Sequence, residues 1–349
     1  MIELVRGNLL EAEAEALVNT VNCIGYMGKG IALQFKKAFP ENFKAYEKAC
    51  KAGEVRPGQM LVYETSLMTG PIYIVNFPTK RHWRDRSLLE DIASGLTALV
   101  AEVSRLGIKS LAVPPLGCGN GGLEWSVVKP MIEKAFAGLA DVHVLLYEPV
   151  GPPDASSMPV RTPRPEMTVA RALFIRLMLD YAEVGYKLTL LEVQKLAYFL
   201  QIAGQPLRLN FSAGYYGPYA PNLNKVLERL EGHFTSGYGD DQRPWQEIRV
   251  LDGAGEEAAS FLEGRDEETR RLHMVGELIE GFKTPYGMEL LASVHWLATH
   301  ADPRAENAEQ AVSGMHSWNP RKRRVFEPRH IVTAWEHLID TAWLAQAPQ

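Results

Sequence analysis

Six prolines fall within the stretch EPVGPPDASSMPVRTPRPEMT, from Glu148 to Thr168. Each proline fixes its own φ, removes a hydrogen-bond donor and pushes the preceding residue out of the helical region. No apolar period runs through the stretch, so burial cannot offset the entropy of ordering it. It reads as an extended linker and divides the chain into residues 1–150, a linker at 151–166 and residues 167–349. In a chain of 349 residues that is 46% hydrophobic, each half is long enough for its own core.

The two halves carry different periods. Before the linker, short apolar runs at 1–5, 16–21, 60–64, 72–77, 110–114 and 142–147 read as strands. Between them, 30–38, 41–52, 87–106 and 125–139 show the spacing of helices, with Ser87 and Glu90 placed for a capping box. This alternation predicts an α/β fold of three layers, a mixed central sheet between helices. Beyond the linker, 168–184, 189–202, 223–230, 268–284, 288–301 and 330–345 read as helices, with turns around 213–221 and short strands near 248–251. That half is predicted to be mainly α-helical.

Residues 1–150 hold 16 basic and 16 acidic side chains, so the formal charge of −5 falls wholly on the remainder. No broad positive field exists to hold nucleic acid non-specifically, and any such contact must be local. The chain contains no apolar run of the ~20 residues a membrane helix needs, and MIELVRGNLLEAEAEALVN does not resemble a signal peptide. Cys23, Cys50 and Cys118 follow neither a disulfide framework nor a metal-binding spacing. A cytoplasmic protein without membrane partners is expected.

Three loops follow strands in the first half: 19–33 (NTVNCIGYMGKGIAL), 78–86 (PTKRHWRDR) and 114–125 (PPLGCGNGGLEW). Glycines at 28, 30, 117, 119, 121 and 122 let the backbone approach a ligand and aim N–H groups at it, which suits phosphate oxygens at a helix start. The alternative is a set of tight strand-to-helix turns. There is no GxxxxGK[ST], no GxGxxG opening a first unit, no HExxH and no Cys/His or carboxylate cluster. A diphosphate ligand held by main-chain amides, without metal or cofactor, fits better.

The strings Gly7-Asn8-Leu9, Leu17 to Asn22, Gly28-Lys29-Gly30-Ile31-Ala32 and Pro114 to Gly119 resemble the macrodomains, ADP-ribose-binding α/β/α folds. The resemblance spans about residues 1–150. Met27 to Ala32 together with Thr79-Lys80 resemble the branch containing the terminal ADP-ribose glycohydrolase. Within that branch the chain resembles the DNA ADP-ribosyl glycohydrolase antitoxins, in which a macrodomain precedes a toxin-binding domain.

The resemblance implies that ADP-ribose lies across the three loops. Asn8 and Leu9 would face adenine, with an Asp common in relatives where Asn8 stands. Thr20, Tyr26 and Gly28-Lys29-Gly30-Ile31-Ala32 would contact the ligand, as would Pro115-Leu116-Gly117-Cys118-Gly119-Asn120-Gly121-Gly122. Asn22 would hold a distal-ribose hydroxyl and Lys80 would be catalytic. The substrate implied is ADP-ribose on thymidine of single-stranded DNA, and the protein partner a cognate DNA ADP-ribosyltransferase toxin. One departure is plain: the protein-directed relative carries a catalytic Asp in the third loop, where this chain has Asn120.

Lys80 has two chemical roles open to it. Its ammonium can stabilise a leaving base, or its neutral amine can attack the anomeric carbon. The second role needs a lowered pKa, for which Arg81, Arg84 and Arg86 are nearby like charges in sequence. Arg81, His82, Trp83 and Arg84 mix cations with an aromatic, a small platform for stacking a base and meeting phosphate. The alternative for Trp83 and Tyr26 is packing in the core, and Asp85 and Glu124 read as surface or cap residues. The alternatives to removal of ADP-ribose from DNA are ADP-ribose reading without turnover and hydrolysis on modified protein.

In the second half, Val193 to Gln201 on a helix and Tyr215 to Tyr219 in a turn resemble a helical module of several antitoxins, and read as packing residues. Residues 240–268 hold ten acidic against three basic side chains. They form a solvated face or a decoy for a basic groove on the toxin. Arg321-Lys322-Arg323-Arg324 is the opposite signal, open to DNA, an acidic partner or solvent.

Overall fold

A computed structural model of the chain describes residues 1–67, 69–151, 158–182, 185, 187–239 and 244–345. It divides into two compact units, the first built on Met1–Arg164 and the second beginning at Pro165.

The first unit is a six-stranded mixed sheet with helices on both faces. Its strands are β1 (Ile2–Val5), β2 (Ala16–Asn22), β3 (Leu61–Glu64), β4 (Tyr73–Lys80), β5 (Ser110–Val113) and β6 (His143–Tyr147). They lie in the order β1-β6-β5-β2-β4-β3, all neighbours parallel except the β3–β4 edge pair. The helices are α1 (Gly30–Ala38), α2 (Pro40–Lys51), α3 (Leu89–Leu106) and α4 (Trp125–Phe136). β2 explains the layering. Ala16 and Val18 join the core under α3 and α4, whereas Leu17 and Val21 point toward α1 and α2. Alternation along one strand thus supplies two cores.

α3 buries Ile92, Leu96, Leu99 and Val103 at helical spacing and ends at Gly107, whose φ of +67° closes the last turn. The expected capping box at Ser87 does not form. The helix starts two residues later, after Leu88, and no side chain caps it. Ser87 is spent elsewhere, as shown below.

Between the sheet and α2 lies a buried asparagine trio. Asn19 Nδ2 donates to Asn76 Oδ1 at 3.0 Å, its register partner on β4, and Asn76 Nδ2 donates to Asn42 Oδ1 at 2.7 Å. This ties two central strands to one helix with polar bonds in a dry core, where each bond is costly to leave unmade.

Of the expected linker, residues 152–157 lie outside the described residues. Its later part is not free: the Arg161 amide donates to the Lys37 carbonyl at 2.9 Å, and its guanidinium sits 5.2 Å from the Phe39 ring. The open carbonyls at the end of α1 provide this anchor, which composition cannot reveal.

The second unit contains α5 (Val169–Ala182), α6 (Leu190–Ile202), β7 (Ser212–Gly214), β8 (Gly217–Tyr219), α7 (Leu223–Leu230), β9 (Thr235–Ser236), β10 (Arg249–Val250), α8 (Ala254–Leu262), α9 (Asp266–Ile279), α10 (Pro285–Thr299), α11 (Ala308–Trp318), α12 (Pro320–Val325) and α13 (Pro328–Asp340). α6 and α10 are buried on nearly every side and form its centre. Thr189 and Glu192 form a capping box at α6.

Several features here go beyond what was expected. Residues 240–243 of the acidic stretch lie outside the described residues, but α8 within it is a packed helix. Its Ala254, Ala258 and Leu262 are buried, and Gly255 lies against Leu179 of α5. The turn at 213–221 is a hairpin, β7 paired antiparallel with β8. α11 and α12 are additional helices, started by Asn307 and Asn319 side chains that accept from Gln310 and Lys322 amides. The basic run is half internal: Lys322 is fully buried and, with Arg321, pairs with Glu289. Among the described residues, no helix is long and apolar enough to cross a membrane.

A Cβ on Gly95 of α3 would come within 2.2 Å of the Phe77 ring on β4. Gly95→Ala is therefore expected to destabilise the first unit by about 1–3 kcal/mol. Urea denaturation followed by near-ultraviolet circular dichroism measures it, and Phe77→Leu in the same chain should recover part of the loss.

Candidate active site

Because β2, β4 and β5 run parallel, the three loops that follow them emerge at one edge of the sheet, the carboxyl edge where open α/β sheets bind ligands. The β2–β4 ladder continues to its end through an irregularity at Val21/Asn22, which brings Asn22 opposite Lys80. β4 thus runs three residues beyond the predicted strand end. Lys80 sits on a strand terminus rather than in a loop.

Asn22 organises the first loop. Its Oδ1 accepts from the Ile24 amide at 3.0 Å, the Tyr26 amide at 3.3 Å and the Tyr46 hydroxyl at 3.1 Å, and its Nδ2 donates to the Tyr26 carbonyl. The side chain is buried and its bonds are spent on the loop. These bonds give it a positioning role in the first loop. Tyr26 lies over Gly28, where a Cβ would be 2.3 Å from the ring, and Met27 is fully buried beneath. α1 begins at Gly30, φ +53°, with no side-chain cap from Lys29. Ile31 and Ala32 occupy its first turn, where amides lack intrahelical acceptors.

Lys80 Nζ donates to the Asn120 carbonyl of the third loop. Burial, and then the charge of Lys29, lower its pKa below the usual lysine value, with Asp85 opposing. The expected source of like charge, the arginines, is therefore corrected. Arg81 is held in a two-point pair with Asp91 of α3, at 3.1 and 3.3 Å. The Arg81 side chain stays largely exposed beside this pair. Arg84 stacks on Trp83, 4.5 Å from its ring, while His82 and Tyr26 flank that ring at 5.5 and 5.8 Å. Trp83 remains 37% exposed, so it packs on Tyr26 rather than in the core.

The third loop is a compact glycine turn. Gly122 N–H donates to the Gly119 carbonyl and Leu123 N–H to the Gly117 carbonyl, both at 3.0 Å. Gly117 and Gly122 adopt φ of +70° and +73°, which glycine tolerates best. Ser87 explains its lost cap: its amide donates to the Gly121 carbonyl, and a Cβ on Gly121 would lie 2.3 Å from Ser87 Oγ and 2.2 Å from the Gly117 carbonyl oxygen. Ser87 is the site residue that the sequence reading missed, because a Ser-x-x-Glu signal looks the same whether or not a helix starts there. Asn120 is where the loops meet, bonded to Lys80 and with Nδ2 against Gly30. Leu116 belongs to the core, and Pro115 and Cys118 are half-buried. Burial pushes the Cys118 thiol up to about 11.

Asn8 and Leu9 lie apart from these loops, after the edge strand β1. Asn8 Oδ1 accepts from the Leu10 amide and starts a short 3-10 turn, while the Leu9 side chain is buried against Leu17 and Phe35. Thr20 is half-buried within β2, opposite Phe77. β1 and β4 are four places apart in the sheet, about 19 Å at ordinary strand spacing. A ligand touching both ends must be long.

Residues 18–132 match the Macro domain family. Over 340 residues, 97% of this chain and 93% of the relative, the sequence is 47% identical to a Thermus aquaticus protein named DNA ADP-ribosyl glycohydrolase. The chain belongs to the DNA ADP-ribosyl glycohydrolase family. It is also 37% identical over 164 residues, 43% of this chain and 42% of the other, to a Thermosipho africanus protein named DNA ADP-ribosyl transferase-DNA ADP-ribosyl glycohydrolase fusion protein. Among solved structures, the macrodomain of Mycobacterium tuberculosis DarG is 56% identical, with a TM-score of 0.42, covering 43% of this chain and 98% of that one. The first unit of this family member is thus a macrodomain with a mixed sheet, followed by a helical region.

In this glycohydrolase, Gly121→Ala must displace either Ser87 or the Gly117 carbonyl. Affinity for ADP-ribose, measured by titration calorimetry, is expected to fall at least about tenfold. Gly138→Ala, where a Cβ meets nothing within 4 Å, is the folding control.

Proposed function

We propose that this enzyme cleaves the N-glycosidic bond between ADP-ribose and thymidine in single-stranded DNA, with Lys80 as an amine nucleophile. The observation that carries the reading is the placement of Lys80. A lysine whose pKa is lowered by burial and by Lys29 stands at a strand end, among three loops whose backbone suits a diphosphate.

The first loop and the start of α1 hold the diphosphate through main-chain amides, and the third loop closes over the distal ribose. The neutral Lys80 amine attacks the anomeric carbon as the bond to the thymine nitrogen breaks, and the base leaves with the electron pair and takes up a proton. Opening of the ribose ring gives an imine at Lys80. Water adds to it, releasing ADP-ribose and restoring the amine. The Asn120 carbonyl directs the amine, and Asn22 fixes the loop beside it. No carboxylate stands at position 120, so this route relies on the lowered basicity of Lys80 for its nucleophile.

Trp83, with Tyr26, His82 and Arg84 around it, is an exposed stacking surface three residues from Lys80, and supports a nucleobase as the leaving group. Adenine would reach toward Asn8 and Leu9, in keeping with the ~19 Å span of the sheet edge. The Thermosipho relative, named as a fusion of transferase and glycohydrolase, supports a DNA ADP-ribosyltransferase as the toxin whose product this enzyme removes. The second unit would hold that toxin by direct binding, so that the chain acts as an antitoxin in two ways.

Incubation with ADP-ribosylated oligonucleotide and ADP-ribosylated protein side by side tests the substrate. Release from the oligonucleotide alone is expected, and release from protein alone overturns the DNA reading. Lys80→Ala should lower hydrolysis at least about 10³-fold with ADP-ribose affinity retained. Because the neutral amine is the active form, kcat should rise with pH and level off below the usual lysine range. Lys29→Met, which removes a neighbouring positive charge, should move that midpoint upward. Borohydride added during turnover should leave ADP-ribose on Lys80, detected by mass spectrometry.

A further inference from the structure

The second unit places a buried cation beneath an apolar slot, away from any catalytic role assigned above. Lys195 of α6 is 2% exposed, and among the described residues its Nζ makes one hydrogen bond, to the Pro218 carbonyl of β8 at 2.8 Å. An ammonium has three N–H donors, so two directions are left. Among the described residues, neither neighbouring carboxylate hydrogen-bonds Lys195. Glu289 of α10 accepts from Arg321 at 2.7 and 3.0 Å and from Lys322 at 2.8 Å. Glu192 of α6 closes the capping box with Thr189 through Oε2, while its buried Oε1 has no partner among the described residues. Burial, with Lys322 next, draws Lys195 down to about 7, while Glu289 and Glu192 pull the other way.

Lys195 also lines a cavity of about 230 Å³, with Leu190, Leu191, Pro244, Tyr216 and Tyr219 among its walls. The β7–β8 hairpin covers one side. Gly217 adopts φ +95°, and a Cβ there would lie 2.6 Å from Ser293 Oγ and 3.6 Å from Lys195 Nζ. At the rim, Tyr215 is 57% and Tyr219 39% exposed. The volume is below the ~300–1,000 Å³ usual for small-molecule pockets. It has room for a side chain, not a nucleotide.

We propose that this slot receives a carboxylate of a protein partner, an Asp or Glu side chain or a chain terminus, which passes between Tyr215 and Tyr219 and pairs with Lys195. A buried ammonium with one carbonyl acceptor is costly, and an entering carboxylate supplies its missing partner in a desolvated place where such bonds are strong. The rim tyrosines add the aromatic contact area that anchors protein interfaces. The proposal requires a carboxylate and does not depend on the identity of the toxin. Binding keeps Lys195 protonated, so a proton is taken up near neutral pH and affinity falls as pH rises above about 7.

The test uses the full chain with carbon-13-labelled lysines, titrated with phenylacetate and, separately, with neutral phenylacetamide. The Lys195 signal is the one missing from Lys195→Met, or, if that variant does not fold, from Lys195→Arg. Phenylacetate is expected to raise the titration midpoint of Lys195 to about 8 or above, with phenylacetamide leaving it in place. Tyr215→Ala should weaken phenylacetate binding about threefold or more. Equal effects of the two probes, or none from either, overturn the proposal. A second arm measures binding of the DNA ADP-ribosyltransferase by calorimetry in two buffers of different ionisation heat. Binding with proton uptake, lost in Tyr215→Ala, supports the slot as its anchor. Binding without either effect overturns that use of the slot. Absence of any binding overturns toxin capture by this unit and leaves the slot to be decided by the phenylacetate result.

Discussion

The parallel register between β2 and β4 is the constraint on which the first unit rests. It sets Asn19 beside Asn76 in the dry core and, after one irregularity, Asn22 beside Lys80 at the sheet edge. The lower pair, with Asn42, fixes the strands and α2 through buried polar bonds. A slip of one residue would turn the apolar side chains of β2 to the wrong faces and separate the upper pair. Core and site are therefore held by one ladder.

Above that ladder, the site is built from loops that brace one another. Asn22 pins the first loop, Ser87 clamps the third, and Asn120 joins the third to the lysine on β4. Arg81 is drawn toward α3 by Asp91. This leaves Lys29 as the principal like charge acting on Lys80. The same physics recurs in the second unit, where burial and Lys322 act on Lys195 while Glu289 is occupied by Arg321 and Lys322. In both places desolvation is the larger cause and a second cation the smaller.

Much of this was legible in the sequence. The strand–helix alternation of the first half, the three loops of the candidate site and the position of Lys80 at its edge came from apolar period, glycine spacing and family resemblance. What escaped had specific reasons. Ser87 carried a helix-start signal, but its amide was claimed by a glycine loop more than thirty residues away. Acidic composition around α8 hid a small apolar face of two alanines and a leucine. The run at 321–324 looked like a surface patch until Glu289, distant in sequence, drew two of its four cations inward. The arginines after Lys80 lay near it in sequence, yet α3 and Trp83 took two of them.

By itself the sequence determined the local terms: where strands and helices form, where glycine permits a backbone turn, where proline breaks the chain, and which family its motifs resemble. Those depend on residues a few positions apart and on dihedral preference. Only the tertiary structure decided which polar groups were left to act. A hydrogen bond or ion pair is exclusive, and competition for Asn22, Arg81, Glu289 and Lys195 is settled by side chains that the chain order keeps far apart. Desolvation belongs to the same level, since how dry an amine becomes depends on every element packed around it.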